Sequence, residues 1–419
     1  MTRLADDCFA ADPVPLTVEA ALERIRDRLQ AVTGTETVPL DAGLDRVLAE
    51  DVVSPIDVPP HDNAAVDGYA VRSADLAPGG GEMAVAGRVA AGHPLDRTPS
   101  AGAALRIFTG APVPEGFDTV VMQEDCWESD GRVRLPVGLR PGANVRLRGE
   151  DVRRGAVSLA AGRRLGPGDL GLAASIGRTA LTVRKRLRVA VASTGDEVTE
   201  PGEDLRPGAV FDANRHTVKA LLARLGCAVT DLGILEDDAG TIARLLAAAA
   251  EDHDVVMTSG GVSTGEEDHV RAAVAAHGRI DAWRLSVKPG RPVALGVIGG
   301  RAFIGLPGNP VAAVVAFVTL ARPVLLALAG ARIAAPARYP VTAGFSHAKK
   351  PGRREFLRVR LEPGLELGRP PVAVKAGPDG SGILSALAAA DGLIDLGEDS
   401  EGLAKGETAA YLPFNEVMR

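Results

Sequence analysis

The segment Ser259–Asp268, SGGVSTGEED, places an anion cradle beside a cluster of acids. Gly260 and Gly261 free backbone N–H groups for close approach to a phosphate or another oxyanion, and Ser263 adds a hydroxyl. Glu266, Glu267 and Asp268 follow within one turn and would repel that same anion. A divalent cation between them removes the conflict, because Mg²⁺ takes hard carboxylate oxygens together with substrate phosphate. Two other apolar runs also end in acids, at Thr194–Glu197 (TGDE) and at Glu236–Asp238 (EDD). If the three runs are neighbouring strands, Glu197, Asp237 and Asp268 converge on one rim as metal ligands. The plainer alternative is that Asp237 and Asp268 cap helices, where a carboxylate complements the dipole. Three such ends in succession favour the metal.

Other segments offer charges or rigid turns. In RLSVKPGRPVAL, Lys288 and Arg291 flank Pro289 and Gly290 and could clamp an anion, Arg in a bidentate way; a solvated surface turn is the alternative. GLPGNPVAA sets Pro307, Gly308 and Pro310 between an apolar run and a long apolar helix, either as a rigid helix entry or as a simple connector. Further upstream, DNAAVDGYAV supplies Asp62, Asn63 and Asp67, and RIFTGAPVPEG supplies Thr109; all four fit ordinary Asx-type turns. The seven histidines show no ligand spacing, and His216, His269 and His277 read as surface or half-buried helix residues. No Ser/His/Asp set, CxxC or HExxH occurs. Cys8, Cys126 and Cys227 stand far apart, an odd, low count that suits a reducing compartment.

Strands alternating with helices must position these groups. LRVAVAST, AVTDLGIL and DVVMTS are short apolar strands. Between them run a helix with Val218, Leu221, Leu222 and Leu225 on one face, closed by Gly226, and a helix with Ile242, Leu245, Leu246 and Ala249, capped by Asp237 or Asp238. That order implies a parallel sheet with ligands at the strands' carboxyl ends. Before it, residues 54–150 break into short apolar runs punctuated by Gly and Pro, the texture of a β-rich insert. The chain opens with a helix carrying Val18, Leu22, Ile25 and Leu29 behind a Thr17 cap. From Ala335 it turns β again, with Leu357, Val359 and Leu361 alternating against Phe356, Arg358 and Arg360.

Composition narrows the classes. At 419 residues several units are expected. A net charge of -7 offers no basic face for nucleic acid, and 3% aromatic residues leave no stacking platform for single strands. The N-terminal residues carry acids where a signal peptide needs an apolar core. The longest apolar run, Val311–Ala321, stops at Arg322 and Pro323, short of the about 20 residues that span a bilayer. A buried helix and a cytoplasmic protein are the expectations.

Seven blocks in order, DNAAVDGYAV, RIFTGAPVPEGFDTVVMQED, RGEDVRRGA, STGDEV, SGGVSTGEED, KPGRP and GLPGNPVA, resemble the MoeA-type molybdopterin molybdenumtransferases, the family that includes the enzymatic domain of gephyrin. The resemblance spans about residues 15–417. It implies the last common step of molybdenum cofactor assembly: adenylylated molybdopterin and molybdate bind, molybdenum enters the dithiolene, and the adenylate is hydrolysed to AMP with Mg²⁺. It implies a multidomain α/β plus β fold in an elongated homodimer. Its parts are an N-terminal helical linker unit (15–54 and 151–183), a β-rich insert (55–150), a central parallel-sheet molybdopterin-binding domain (184–333) and a C-terminal β-barrel (335–419).

By matching position, the resemblance assigns the metal and the hydrolysis to Glu197, Asp237 and Asp268. Asp67, Thr109 and Asp151 would reach the partner's site, Lys288 and Arg291 would hold molybdate or phosphate, Pro307 and Pro310 would shape the cleft, and Arg358 and Ser381 match positions linked to molybdate. A molybdopterin adenylyltransferase is the implied substrate donor. The chain departs from the family's usual blocks at His61, Ala64 and Val66, at Arg284 and Arg291 where Lys is common, and at Thr264. Two other readings are an adenylyltransferase acting on molybdopterin, which would lack the insert and barrel, and a non-catalytic pterin-binding scaffold, which loss of a strand-end acid would have favoured.

Overall fold

The computed structural model describes residues 4–5, 8–9, 15–76, 80–95, 97, 99–261, 269–290, 292–362 and 368–418. Ser263, Asp268 and Arg291, and with them Thr264, Glu266 and Glu267, lie outside the described residues.

Along the strand Arg188–Thr194, Val189 and Val191 point to one side of the central sheet and Ala190 and Ala192 to the other, and all four are buried. Both faces must therefore be covered, as in a parallel sheet. Six strands run in the order Ala228–Leu235, Arg188–Thr194, Val255–Ser259, Arg301–Leu306, Pro292–Ile298, Gly278–Arg284. The first four are parallel; Pro292–Ile298 runs against them, and Gly278–Arg284, antiparallel to it, returns to their direction. Ala239–Asp252 and His269–His277 cover the alanine face. Ile242, Leu246 and Ala249 of the first are buried there, whereas Leu245, at the margin of that stripe, is 39% exposed.

The valine face receives Asn214–Arg224 and the apolar helix that runs from Pro310 to Leu328. Gly226 ends the former at φ 85°, its N–H donating to the Ala223 carbonyl and that of Cys227 to Leu222. The apolar helix widens to a π turn over Phe317–Ala321, just ahead of Pro323, whose ring nitrogen has no hydrogen to donate. Among the described residues it is the one helix long and apolar enough to cross a membrane, and it is buried inside the protein.

The first helix, Val18–Arg28, starts where Thr17 Oγ1 accepts from the Ala20 N–H at 3.1 Å. Val18, Ala21 and Ile25 pack into the same core as the apolar helix, so its stripe is spent on the central domain. The adjoining part, expected as a helical linker unit, holds short strand pairings as well as a helix. Thr35–Pro39 pairs with Ala180–Arg184 and Val52–Val53 with Val157–Leu159, and Pro167–Ser175 is the helix beside them. Between these pairings the chain forms a six-stranded sheet, ordered Thr119–Met122, Gly68–Val71, Ala103–Ile107, Gly81–Val89, Arg132–Leu135, Trp127–Ser129, with an apolar cluster on each face.

The tail closes a five-stranded barrel of Arg354–Glu362, Val372–Lys375, Tyr339–Ala343, Thr408–Pro413 and Gly392–Leu396, the last pairing back to the first. The expected apolar alternation along Phe356–Leu361 is incomplete. Leu357 and Val359 fill the barrel, but Phe356 joins the central core and Arg358 is 9% exposed. The outer face of this strand is pressed against the α/β domain rather than against water. Val287–Lys288 adds alongside it, carrying Lys288 out of the central domain and onto the barrel wall.

Candidate active site

Because Arg188–Thr194 lies between Ala228–Leu235 and Val255–Ser259, the carboxyl ends of the three strands stand side by side. A cavity of about 750 Å³ opens there, between these ends and the barrel. Thr194, Gly195, Glu197, Asp237, Gly260 and Gly261 line its sheet side. Lys288, His347, Glu355, Arg358, Asp379 and Ser381 line its barrel side.

On the sheet side, Glu197 folds back over its own loop: a Cβ placed on Gly195 would stand 2.5 Å from Glu197 Oε2. The loop is held by the Val210 N–H on the Glu197 carbonyl (2.8 Å) and by that of Asp212 on Thr199 (2.9 Å). Asp237 and Asp238 divide the two roles foreseen for them. Asp238 caps the helix, accepting from the Thr241 N–H at 2.7 Å, a bond that lowers its pKa, while Asp237 faces the cavity. Gly260 (φ 91°) and Gly261 (φ 66°) are backbone positions that L side chains avoid. A Cβ on Gly260 would sit 2.6 Å from the Thr194 carbonyl oxygen, and one on Gly261 would overlap Val270.

Behind these loops, Asn214 Nδ2 donates to Ser259 Oγ (2.9 Å) and to the Gly308 carbonyl (2.7 Å), joining the glycine loop to the Pro307–Asn309 turn. Its neighbour Arg215, 3% exposed, pairs with Asp212 at 2.9 Å and also with Glu200 and Asp231. Burial pushes the Asp231 pKa up, but the Lys219 ammonium, the Gly233 N–H and the Arg215 guanidinium outweigh it and hold the carboxyl well below its ordinary range.

The barrel side is built around buried charge. Lys288 Nζ donates to Glu355 Oε1 at 2.8 Å, and His347 Nε2 meets the same oxygen at 3.2 Å. Arg358 donates to the backbone carbonyls of Ile383 (2.9 Å) and Pro378 (3.0 Å), and no carboxylate among the described residues pairs with it. Burial lowers its pKa and Asp379 raises it in part. The Ser381 carbonyl accepts from the Val311 N–H at 2.9 Å, docking the barrel onto the start of the apolar helix. Pro307 lines the cavity, whereas Pro310 opens that helix and does not.

Asp67, Thr109 and Asp151 line no part of this cavity. Asp67 Oδ1 accepts from the Thr109 N–H (2.8 Å) and hydroxyl (2.7 Å), and the backbone bond in particular lowers its pKa. Asp62 takes the Arg148 N–H at 2.7 Å. These are long-range ties rather than local Asx turns. Asp151 is exposed. Sequence reasoning missed Asn214, His347, Glu355 and Asp379. Only the GPDGSG turn signalled one of them: His347 and Glu355 meet the site through strand pairing, and Asn214 through side-chain bonds from the start of its helix to distant loops.

Glu197 and Asp237 suit a hard cation. Mg²⁺ keeps several waters and takes one or two carboxylates plus substrate phosphates, so the protein need supply few donors. Among the described residues no three His, Cys, Asp or Glu groups converge as a metal site, and Asp268, the third expected ligand, lies outside them.

Residues 16–177 match the model of the MoeA N-terminal region (domains I and II), 190–327 that of a probable molybdopterin binding domain, and 340–414 that of the MoeA C-terminal region (domain IV). The chain is 38% identical to a molybdopterin molybdenumtransferase of Haemophilus influenzae over 96% of this chain and 100% of that one. It is 36% identical to molybdopterin molybdenumtransferase 2 of Mycobacterium tuberculosis over 88% and 93% respectively. Among solved structures, a molybdopterin biosynthesis MoeA protein from Pyrococcus horikosii superposes with a TM-score of 0.72 at 32% identity, covering 96% of this chain and 99% of that one. Full-length agreement in sequence and fold establishes that the chain belongs to the MoeA family of molybdopterin molybdenumtransferases.

Proposed function

We propose that this molybdenum cofactor enzyme couples molybdenum insertion to cleavage of an adenylylated molybdopterin, releasing AMP. The observation that carries the reading is one cavity that sets Glu197 and Asp237 on its sheet side opposite Lys288 and Arg358 on its barrel side, where Glu355 and Asp379 stand beside the two cations. The phosphoanhydride would lie over Gly260 and Gly261, whose lack of side chains allows close approach; the Gly260 N–H itself is not part of the expected cradle, because it donates to the Leu306 carbonyl at 3.1 Å. Glu197 and Asp237, with Asp268 from the adjoining loop, would hold Mg²⁺. When bound, that ion neutralises anhydride oxygens and stabilises charge on the leaving phosphate. Ser263 would add a hydroxyl to the cradle.

Lys288 and Arg358, with Ser381 and Arg291, would hold molybdate near the dithiolene. Molybdate here is substrate, and its charge needs fixed cations in an acidic protein. The cavity shape comes from Pro307 and from Pro310 at the head of its helix. The enzyme would work in the cytoplasm as a homodimer, with Asp67, Thr109 and Asp151 of each insert region completing the partner's site. A molybdopterin adenylyltransferase would supply its substrate.

The test uses purified Glu197→Gln and Asp237→Asn chains given adenylylated molybdopterin, molybdate and Mg²⁺. Each is expected to bind the pterin substrate but to release AMP at least about 100-fold more slowly than the wild type. Full turnover in either variant overturns the metal assignment.

A further inference from the structure

Asn214 lines no part of the cavity, yet its amide holds two loops that do. Nδ2 donates to Ser259 Oγ at 2.9 Å and to the Gly308 carbonyl at 2.7 Å. We propose that Asn214 is a positioning residue that fixes the anhydride end of the cavity against the molybdate end, and so couples AMP release to molybdenum insertion. This rests on the reading of those two ends given above and adds to it the residue that keeps them in register.

The two loops leave neighbouring parallel strands, Val255–Ser259 and Arg301–Leu306. Just past the strand, the Gly260 N–H still meets the Leu306 carbonyl at 3.1 Å. Beyond that bond the chains part, one into Gly261 and the other into Pro307–Asn309. Among the described residues the Asn214 amide is the one side chain bonded to both. A carbonyl oxygen can only accept, so Gly308 fixes which way the amide faces, and both of its N–H groups are spent on the tie.

From Gly308 the link runs on to the barrel. Pro307 and Pro310 have fixed φ and no N–H, which stiffens the turn between them. Val311, next after Pro310, donates its N–H to the Ser381 carbonyl at 2.9 Å, and Arg358 holds the flanking carbonyls of Pro378 and Ile383. Asn214 is itself anchored from behind. The Arg215 N–H and guanidinium bond Asp212 at 3.0 and 2.9 Å, and the Asp212 N–H donates to Thr199 at 2.9 Å, in the loop that begins at Glu197. One amide thus stands between the carboxylate loop, the glycine loop and the turn that carries the barrel contact. Reaction between two bound groups tolerates little displacement. A slack tie leaves the anhydride in place with molybdate out of reach. Water then adds across the phosphoanhydride, its oxygen joining one phosphorus while the bridging oxygen leaves with the other, to give AMP and molybdopterin without molybdenum.

The measurement is AMP released per molybdenum incorporated, on full chains given adenylylated molybdopterin, Mg²⁺ and saturating molybdate. Wild type is expected to release one AMP per molybdenum. Asn214→Asp keeps the shape but sets an oxygen against the Gly308 carbonyl, and its ratio is expected to rise to roughly three or more as positioning fails. The ratio is blind to the amount of folded chain, because an unfolded chain performs neither step, so a merely structural role would not move it. If melting shows that Asn214→Asp does not fold, Ser259→Ala cuts the same tie from the other side without adding a charge and is judged by the same ratio. A ratio in the folded variant no higher than that of wild type, whatever its rate, overturns the role of Asn214 while leaving the coupled reaction in place. A wild type that releases no AMP, or whose AMP and molybdenum are not one to one, overturns the proposed function and this inference together.

Discussion

Two glycines, Gly260 and Gly261, leave the sheet edge without side chains where the proposed substrate would approach it. Gly260 packs so tightly on the Thr194 carbonyl that any side chain must displace the strand end carrying Gly195 and Glu197. Gly260→Ala is expected to cost about 1–3 kcal/mol of stability through its positive φ. Turnover should fall at least about tenfold, because near-attack positioning fails with small displacements. Thermal melting and steady-state kinetics on one preparation check both, and an alanine variant with wild-type kinetics would remove the loop from the site. Glu197, Asp237 and the glycine loop were legible in the chain because each lies within a few residues of a strand end, where local pattern suffices. Glu355 and His347 were not. Their meeting depends on a barrel strand laid against Val287–Lys288 and on a pairing between His347–Ala348 and Gly402–Leu403, contacts that no local period encodes.

At the level of elements, the segment from Glu197 to Asp212 is pinned by Arg215, which gathers Asp212, Glu200 and Asp231 from three places in the chain. Asp231 also takes the Lys219 ammonium. Its folded pKa is depressed, so its contribution to stability is complete above the unfolded value of about 3.9 and is lost as pH falls through the lower folded value. Asp231→Asn should therefore melt roughly 2–4 °C below wild type at pH 7. That gap should close under strong acid, where wild type has also lost the charge. A gap that is constant with pH would mean that packing, not charge, is what the substitution removed. Helix and strand identities were legible wherever an apolar stripe repeated. The destination of the first helix was not, since Val18, Ala21 and Ile25 specify a buried face without saying which domain buries it.

For the whole molecule, Asp67 and Thr109 are bonded to each other yet line no part of the cavity in their own chain. If they complete the partner's site, Asp67→Ala and Glu197→Ala chains, each inactive alone, should complement on mixing. Random pairing would restore up to about a quarter of wild-type turnover, the share of sites with both elements intact. Activity no higher than that of the separate variants would place Asp67 in cis or outside catalysis. The most direct test of the central claim is the ratio of AMP released to molybdenum incorporated when wild-type chain receives adenylylated molybdopterin, Mg²⁺ and limiting molybdate. Coupled insertion predicts one AMP per molybdenum, with cofactor that activates an apo-molybdoenzyme. Molybdenum incorporated without AMP, or no AMP released even with molybdate present, would contradict it.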